Sequence, residues 1–207
     1  MTIIHSLFPC IISENKLNYN TDIIKEECYR RKQLELTGVS SQGKHPTSNI
    51  GGWQSSPFFK NTDSFFSSLL HDIEEHCLNY IHEIVSIQDC FLDNAWININ
   101  SKGNCNFPHA HPGSIVSGVY YVRLPQNSGK LQFENPSGKL LTSYWNVIRS
   151  PNEWNRANSE IWSLESSENT LLIFPSWLDH YVETNESDED RISISFNVCA
   201  RYNSCIK

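Results

Sequence analysis

The period of the hydrophobic pattern changes near residue 90, and this change limits the folds available to the chain. Before that point apolar residues recur every three or four positions, whereas afterwards they alternate with polar residues in short runs. These runs are rich in Val, Ile, Tyr, Phe and Trp, and Gly, Pro, Asn and Ser turns separate them. The predicted strands are Cys90–Asn100, Ile115–Arg123, Leu131–Asn135, Ile161–Leu164, Thr170–Phe174, Tyr181–Glu183 and Arg191–Arg201. The order predicts an α+β, mainly β fold: a sandwich or jelly roll with N-terminal helices packed outside.

Two helices are predicted before the strands. Asn20 or Thr21 can cap a helix over Ile23–Leu36. A second helix begins near Thr62 or Asp63, because one apolar stripe with helical spacing follows. The stripe consists of Phe66, Leu69, Leu70, Ile73, Cys77, Tyr80, Ile81 and Ile84.

The length and charge of the chain limit the number of domains and the kinds of partner that we expect. With 207 residues, we expect one domain over 1–207, with a mostly helical support region at 1–89 and a β core at 90–203. The net charge of −7 and the scattered basic residues give no electrostatic footprint for nucleic acid. No stretch approaches the roughly 18 apolar residues of a membrane span. Without an export signal, and with seven cysteines lacking CxxC spacing, we expect a cytoplasmic protein with reduced thiols.

Three histidines have the spacing and the sequence surroundings expected of metal ligands. His109 and His111 stand two residues apart between prolines, which favour an extended backbone. Side chains at positions i and i+2 of an extended segment point to the same face, so both imidazoles can bind one metal ion. His180 follows the predicted strand Thr170–Phe174 and a Pro-Ser-Trp turn. We therefore predict a metal site formed by His109, His111 and His180.

The last predicted strand places a basic residue close to this site. Over residues 191–198 the alternation is strict, and Arg191 and Ser193 stand on its polar side. If that side lines a small barrel, the guanidinium needs an anion to offset its desolvation. Arg binds carboxylates in bidentate geometry, and a Ser hydroxyl can add a hydrogen bond. The strand thus predicts a small carboxylate ligand beside the metal, although an ordinary half-exposed strand has the same pattern.

Three runs of the sequence resemble one known family. Residues 109–122 read HAHPGSIVSGVYYV, residues 174–180 read FPSWLDH, and residues 191–197 read RISISFN. In this order they are similar to the 2-oxoglutarate- and Fe(II)-dependent oxygenases found in marine bacteria and phages. Residues 52–55 (GWQS) and 7–9 (LFP) also resemble that family, so the resemblance extends over nearly the whole chain.

The resemblance implies a double-stranded β-helix that holds one Fe(II) ion and uses 2-oxoglutarate and molecular oxygen. His109, His111 and His180 would bind the iron, and Arg191 and Ser193 the distal carboxylate of 2-oxoglutarate. The implied reaction is hydroxylation of a small-molecule or peptide substrate. It is coupled to decarboxylation of 2-oxoglutarate to succinate.

Other polar residues are candidates for the same pocket. Asn98, on the strand before the histidine pair, and Tyr120 are predicted to contribute to cofactor binding. Gln132 and Asn197 are predicted to line the pocket. Each of these side chains could equally be a hydrogen-bonded polar group of the core.

One departure from the wider superfamily concerns the second metal ligand. Most such oxygenases have two histidines and one carboxylate, the latter in a His-x-Asp or His-x-Glu pair. Here His111 stands where that carboxylate would be. A third neutral imidazole makes the site more positive and softer, so nickel, copper or zinc could compete with iron. Asp179 and Glu134 are possible substitutes, but Asp179 adjoins His180 and would point away from it in an extended chain.

Two other functions are compatible with the sequence. A cupin-type metal-dependent dioxygenase shares the jelly roll but works without 2-oxoglutarate, and it has no need of Arg191 and Ser193. The Glu that cupins have three to five residues after the histidine pair is also missing. A non-catalytic binder of small molecules or carbohydrates would not require the three histidines to converge. For stacking on sugars it could use Trp145, Trp154 and Trp177.

Overall fold

The computed structural model describes residues 2–3, 5–37, 48–87, 89–138, 140, 143 and 153–201. Its helices and strands follow one another without a repeat. In chain order they are β1 (Ser13–Lys16), α1 (Thr21–Leu36), β2 (Asn49–Ile50), β3 (Trp53–Gln54), α2 (Ser67–Tyr80), β4 (Cys90–Asn100), β5 (Cys105–His109), β6 (Val116–Arg123), β7 (Leu131–Glu134), β8 (Ile161–Ser163), β9 (Thr170–Pro175), β10 (His180–Val182) and β11 (Arg191–Ala200).

The strands form two antiparallel sheets. The larger sheet has the order β1–β9–β6–β11–β4–β3, and the smaller has the order β2–β5–β10–β7–β8. From β4 onward the chain places four strands in each sheet: β4, β6, β9 and β11 in the larger, β5, β7, β8 and β10 in the smaller. This winding is that of a jelly roll, the double-stranded β-helix, and it confirms the predicted fold class.

The helices and the two sheets pack through two apolar layers. Between the helices and the outer face of the larger sheet lies a core that includes Leu70, Ile73, Ile97 and Ile194, all fully buried. Between the two sheets lies a smaller cluster formed by Val119, Tyr121, Leu131, Phe133, Leu172, Phe174 and Leu178. The helices therefore pack outside the β-helix, and the inner faces of the sheets remain available for a site.

The helix boundaries differ slightly from the predicted ones. Asn20 caps α1, because its Oδ1 accepts hydrogen bonds from the amides of Asp22 and Ile23. The second helix begins at Ser67 rather than near Thr62 or Asp63, since Asp63 Oδ1 accepts the Phe66 amide at 3.0 Å and holds the chain in turns. After α2 the chain continues as a π-helical turn, Ile81–Val85. In the described part of the chain, neither helix is both long and apolar enough to traverse a bilayer.

Four strands were not predicted, and three of them come from the N-terminal part of the chain. β1 pairs with β9, β3 pairs with β4, and β2 pairs with β5. β2 and β3 are adjacent in the chain but belong to different sheets, so together they close one side of the β-helix. The N-terminal region is thus not only helical, because it also completes both sheets.

Candidate metal and cofactor site

The three predicted histidines converge at one end of the smaller sheet. His109 is the last residue of β5 and lies opposite His180, the first residue of β10. His111 lies just beyond β5, where its amide donates to the carbonyl of Ser176 at 2.9 Å. One nitrogen from each imidazole lies within 4.8 Å of one from each of the others. The two strands and this amide contact therefore bring together three donors at a distance suited to a shared metal ion.

Backbone carbonyls orient two of the imidazoles. The Nδ1 atoms of His109 and His180 lie 2.7 Å and 2.8 Å from the carbonyl oxygens of Phe107 and Leu178. A carbonyl only accepts, so each Nδ1 carries the hydrogen, and each Nε2 is left with a lone pair. The same outer-shell arrangement orients histidine ligands in metal proteins. Ser48 Oγ lies 3.3 Å from His109 Nε2 and is the polar neighbour of that lone pair.

Burial keeps all three imidazoles in the neutral form that metals require. It lowers the pKa of His180 to about 4, and it lowers the pKa of His109 as well. The pKa of His111 falls to about 3, first through burial and then through the nearby His180 and His109. Among the described residues, no carboxylate belongs to this cluster. Asp179, the alternative ligand, is exposed, and the structure places His111 in the cluster instead.

A cavity of about 590 Å³ opens beside the histidines, within the usual size range of small-molecule sites. Its wall includes the inward side chains of β4 and β11, and the histidine cluster lies on the opposite, smaller sheet. The alternation predicted for β11 is confirmed, because Arg191 and Ser193 line this cavity whereas Ile192 and Ile194 pack under the helices.

Arg191 is the buried cation of the cavity, with 2% of its surface exposed. Its Nη1 donates to the carbonyl oxygens of Ser128 and Glu183. Its Nη2 is buried and has no hydrogen-bond partner in the described part of the chain. Burial lowers the pKa of Arg191 to about 10, so the guanidinium stays charged at neutral pH. A buried cation with an unused donor, facing a cavity, fits a carboxylate ligand.

Ser193 and Asn98, two other residues predicted to bind the cofactor, both line the cavity, but only one of them is free to bind a ligand. Ser193 lines the cavity, and no protein group within the described residues bonds its hydroxyl. Asn98 also lines the cavity, but its Nδ2 donates to Ser195 Oγ at 3.1 Å and its Oδ1 accepts from Asn49 at 3.4 Å. Asn98 is therefore engaged within the wall, whereas the Ser193 hydroxyl remains free for a ligand.

Tyr120 does not lie in the cavity. It belongs to the core beneath the helices, where its hydroxyl donates to Asn169 Oδ1 at 2.5 Å. The next residue, Tyr121, points inward and lines the cavity instead. The sequence does not distinguish these neighbours, because β6 is buried on both faces and its residues show no regular alternation of apolar and polar.

Of the two predicted pocket residues, Asn197 lines the cavity and Gln132 does not. Gln132 Nε2 instead donates to Glu183 Oε1 at 2.7 Å. Trp96, which was not singled out, also lines the cavity, with its ring centroid 5.8 Å from that of His111. Trp96 could have been predicted to line the cavity, because it lies two residues before Asn98 on an alternating strand and therefore on the same face.

Comparison with solved structures shows which fold this is. A Pseudomonas putida prolyl-4-hydroxylase has a TM-score of 0.60 at 13% identity, with 92% of each chain covered. HygX from Streptomyces hygroscopicus, solved with nickel, 2-oxoglutarate and hygromycin B, has a TM-score of 0.63 at 12% identity, covering 93% of this chain and 84% of HygX. The epimerase SnoN from nogalamycin biosynthesis has a TM-score of 0.61 at 11% identity, covering 91% and 78%.

Sequence comparison identifies the family. Among curated proteins, none matches this chain in sequence. The family model described as "Putative 2OG-Fe(II) oxygenase" matches residues 94–197, about half of the chain, and the matched region contains the three histidines, Arg191 and Ser193. The chain therefore belongs to the 2-oxoglutarate- and Fe(II)-dependent oxygenase family.

Proposed function

We propose that this protein is a hydroxylase that couples oxidation of a small-molecule or peptide substrate to decarboxylation of 2-oxoglutarate to succinate. The observation that carries the proposal is the unused Nη2 of buried Arg191, which shares one cavity with three converging neutral imidazoles. A metal site alone would not need this cation. A carboxylate-bearing cosubstrate next to the metal accounts for both features.

In this proposal His109, His111 and His180 bind Fe(II), two of them through Nε2. A site with three protein ligands would leave the ion accessible to the cosubstrate and to oxygen. Bound Fe(II) supplies the activation of oxygen that hydroxylation requires. The chain itself contributes three imidazoles whose pKa values burial lowers, to about 3 for His111 and about 4 for His180, so that the neutral, metal-binding form is favoured.

Arg191 binds the distal carboxylate of 2-oxoglutarate in this proposal. The two carbonyls of Ser128 and Glu183 hold its Nη1, so the direction of Nη2 is fixed before the ligand arrives. The Ser193 hydroxyl and the Tyr121 hydroxyl line the same cavity without protein partners in the described residues, and each can donate to a carboxylate oxygen. The buried side chain of Leu131 lines the same cavity, and apolar surroundings strengthen such charge-assisted bonds.

The fold alone does not determine which reaction the protein catalyses, because proteins with this fold catalyse several different reactions. Among the proteins that share it are a prolyl-4-hydroxylase, an epimerase and a carbocyclase. Hydroxylation is the simplest of these outcomes. The prolyl-4-hydroxylase also matches this chain over an equal share of both lengths, 92%. A cupin-type dioxygenase without 2-oxoglutarate is less well supported, because it leaves the buried Arg191 without a ligand.

The test is anaerobic titration of the Fe(II)-loaded protein with 2-oxoglutarate, following the visible metal-to-ligand charge-transfer band. We expect a band that saturates, together with succinate formation in air. Arg191→Lys keeps the positive charge but loses the planar guanidinium with its paired donors. The concentration of 2-oxoglutarate at half-saturation should therefore rise by about tenfold or more. Arg201→Lys, at an exposed position, is the matched control and should titrate like wild type. Bound iron without a band would contradict the proposal.

A further inference from the structure

The inward side chains of β4 and β11 form four opposed pairs along the cavity wall. From the inner end outward, these pairs are Arg191–Asn100, Ser193–Asn98, Ser195–Trp96 and Asn197–Asn94. Since the rings of Trp96 and His111 lie 5.8 Å apart, the third pair stands at the height of the histidine cluster. The fourth pair, Asn197 and Asn94, therefore lies beyond the metal position on the side away from Arg191. We call it the outer amide pair.

Hydrogen bonds hold the outer amide pair in place. Asn197 Oδ1 accepts from Ser117 Oγ at 2.7 Å, and Ser117 Oγ lies 2.8 Å from Ser176 Oγ. Asn197 Nδ2 donates to Asn94 Oδ1 at 3.4 Å, and Asn94 Nδ2 donates to Asp93 Oδ2 at 2.8 Å. Each amide nitrogen carries two hydrogens and each carbonyl oxygen two lone pairs. After these bonds, both amides still have donors and acceptors to offer to a ligand.

Among the described residues, no charged side chain lines the outer end of the cavity. Within the described residues, Arg191 is the charged side chain of its wall, and no Asp, Glu or Lys lines it. The carboxylate of Asp93 bonds to Asn94 but is not part of the wall. A charged group buried without a partner loses its hydration with nothing to replace it. Gln54 adds a further amide to the wall, but it lies opposite Asn98 and thus nearer to Arg191 than the outer amide pair does.

On the basis of the proposed function, we propose that the part of the substrate that enters beyond the metal is uncharged and offers both hydrogen-bond donors and acceptors. A carboxamide or a pair of neighbouring hydroxyls has this chemistry. The outer amide pair binds that group, and the ring of Trp96 forms a flat wall beside it. A carboxylate or an ammonium group in the same position would find no opposite charge in the described part of the wall.

Small probe molecules test this without knowledge of the substrate. The protein is loaded anaerobically with Fe(II) and 2-oxoglutarate, and Zn(II)-loaded protein serves as the diamagnetic reference. Proton relaxation by the paramagnetic iron is then measured by NMR for acetamide, ethylene glycol, acetate and ethylammonium. We expect an iron-dependent enhancement about tenfold larger for a neutral probe than for either charged probe. The stronger of acetamide and ethylene glycol distinguishes an amide-bearing from a polyhydroxylated substrate.

A charge-introducing variant provides the second arm. Asn197→Asp places a carboxylate in the outer amide pair itself and removes only the long hydrogen bond to Asn94 Oδ1, at 3.4 Å. The enhancement for ethylammonium should therefore rise about tenfold in this variant, since the wall now supplies a counter-charge. Asn61→Asp is the same change at an exposed position between β3 and α2 and should behave like wild type.

The outcomes separate this inference from the proposed function. Equal enhancement for charged and neutral probes, or no enhancement for any probe, would overturn the inference. An unchanged response of Asn197→Asp to ethylammonium would overturn it too. The charge-transfer band is recorded first in the same samples. A missing band means that the proposed function has failed, whereas a normal band with a preference for charged probes contradicts the substrate class alone.

Discussion

His180 lies directly opposite His109 in the antiparallel pair of β10 and β5, with the two ring centroids 4.4 Å apart. The backbone ladder of the smaller sheet thus sets the separation of two side chains that are distant in the chain. His111 lies beyond the end of β5, but its amide contact with Ser176 fixes it relative to the same sheet. Donors held by the backbone need little rearrangement when a metal binds.

Replacing His180 by alanine is expected to abolish retention of Fe(II). Two imidazoles give too few donors for tight binding, so the iron content after desalting should fall below about a tenth of the wild-type value. His71→Ala, at an exposed position of α2, is the matched control and should retain iron. Wild-type iron content in the His180 variant would show that His180 is not a ligand.

Replacing His111 by aspartate should give a site with two histidines and one carboxylate, the set typical of non-haem Fe(II) oxygenases. We expect the variant to bind Fe(II) and to develop the 2-oxoglutarate band. Copper should displace its iron less readily than in the wild type, because an oxygen ligand is harder than an imidazole. The measurement is metal content after equilibration with both ions. A variant that binds no iron would mean that position 111 does not face the metal.

Gly129→Ala is expected to weaken 2-oxoglutarate binding by about tenfold while leaving iron in place. Gly129 has φ +84°, and a Cβ there would lie 2.8 Å from Arg191 Nη1 and closer still to the Glu183 carbonyl oxygen. The methyl group would therefore displace the guanidinium. Gly103→Ala is the control, since Gly103 has a similar φ of +86° but open space around it. Equal effects of the two variants on the titration would attribute the loss to backbone strain alone.

Arg31→Ala is expected to destabilise the fold by about 3 kcal/mol. Arg31 bonds to Glu27 and Asp63, which are both largely buried, and its guanidinium lies 4.5 Å from the ring centroid of Phe66. Removing it leaves two buried carboxylates without this partner. Arg30→Ala removes a more exposed partner of Glu27 and should cost about 0.5 kcal/mol. Chemical denaturation of both variants measures the difference.

The same ion pairs predict how stability depends on pH. Hydrogen bonds from Arg30 and Arg31 lower the pKa of Glu27. Burial alone would raise the pKa of Asp63, but bonds from Arg31 and the Phe66 amide lower it overall. Both carboxyls thus titrate lower in the folded than in the unfolded state, so their stabilising contribution is present above about pH 5 and is lost as the pH falls below about 4. The gap in unfolding free energy between wild type and Arg31→Ala should accordingly shrink towards about pH 3.

Elements with strong periodicity could be predicted closely from the sequence. β4 has the predicted bounds Cys90–Asn100, and β11 differs from its prediction by one residue, because both strands have one face in the core and one in the cavity. The histidine cluster could also be predicted, since an extended His-x-His places both side chains on one face. Its convergence on His180 follows from pairing between strands, for which the sequence offered only the order of the motifs.

The strands that were missed carried no periodic signal. β5 has the sequence CNFPH and is half-exposed, so it shows neither alternation nor a run of apolar residues. β2 and β3 are two residues long, and pairing with larger strands rather than local preference makes them extended. In β6 all residues but the last are buried, which is why Tyr121 rather than Tyr120 could not be assigned to the cavity.

β1, β2 and β3 pair with strands at the edges of the β-helix. The part of the chain that resembles the family is therefore shorter than the part that is needed for a stable fold. The stretch shared with the family, residues 94–197, starts inside β4 and omits all three strands. A fragment cut at those limits would leave β9, β4 and β5 with unpaired backbone groups and would uncover the apolar surface beneath α1 and α2. Open edges and bare apolar surface favour aggregation. An expression fragment chosen by homology alone would therefore contain the chemistry of the site without the means to keep it soluble.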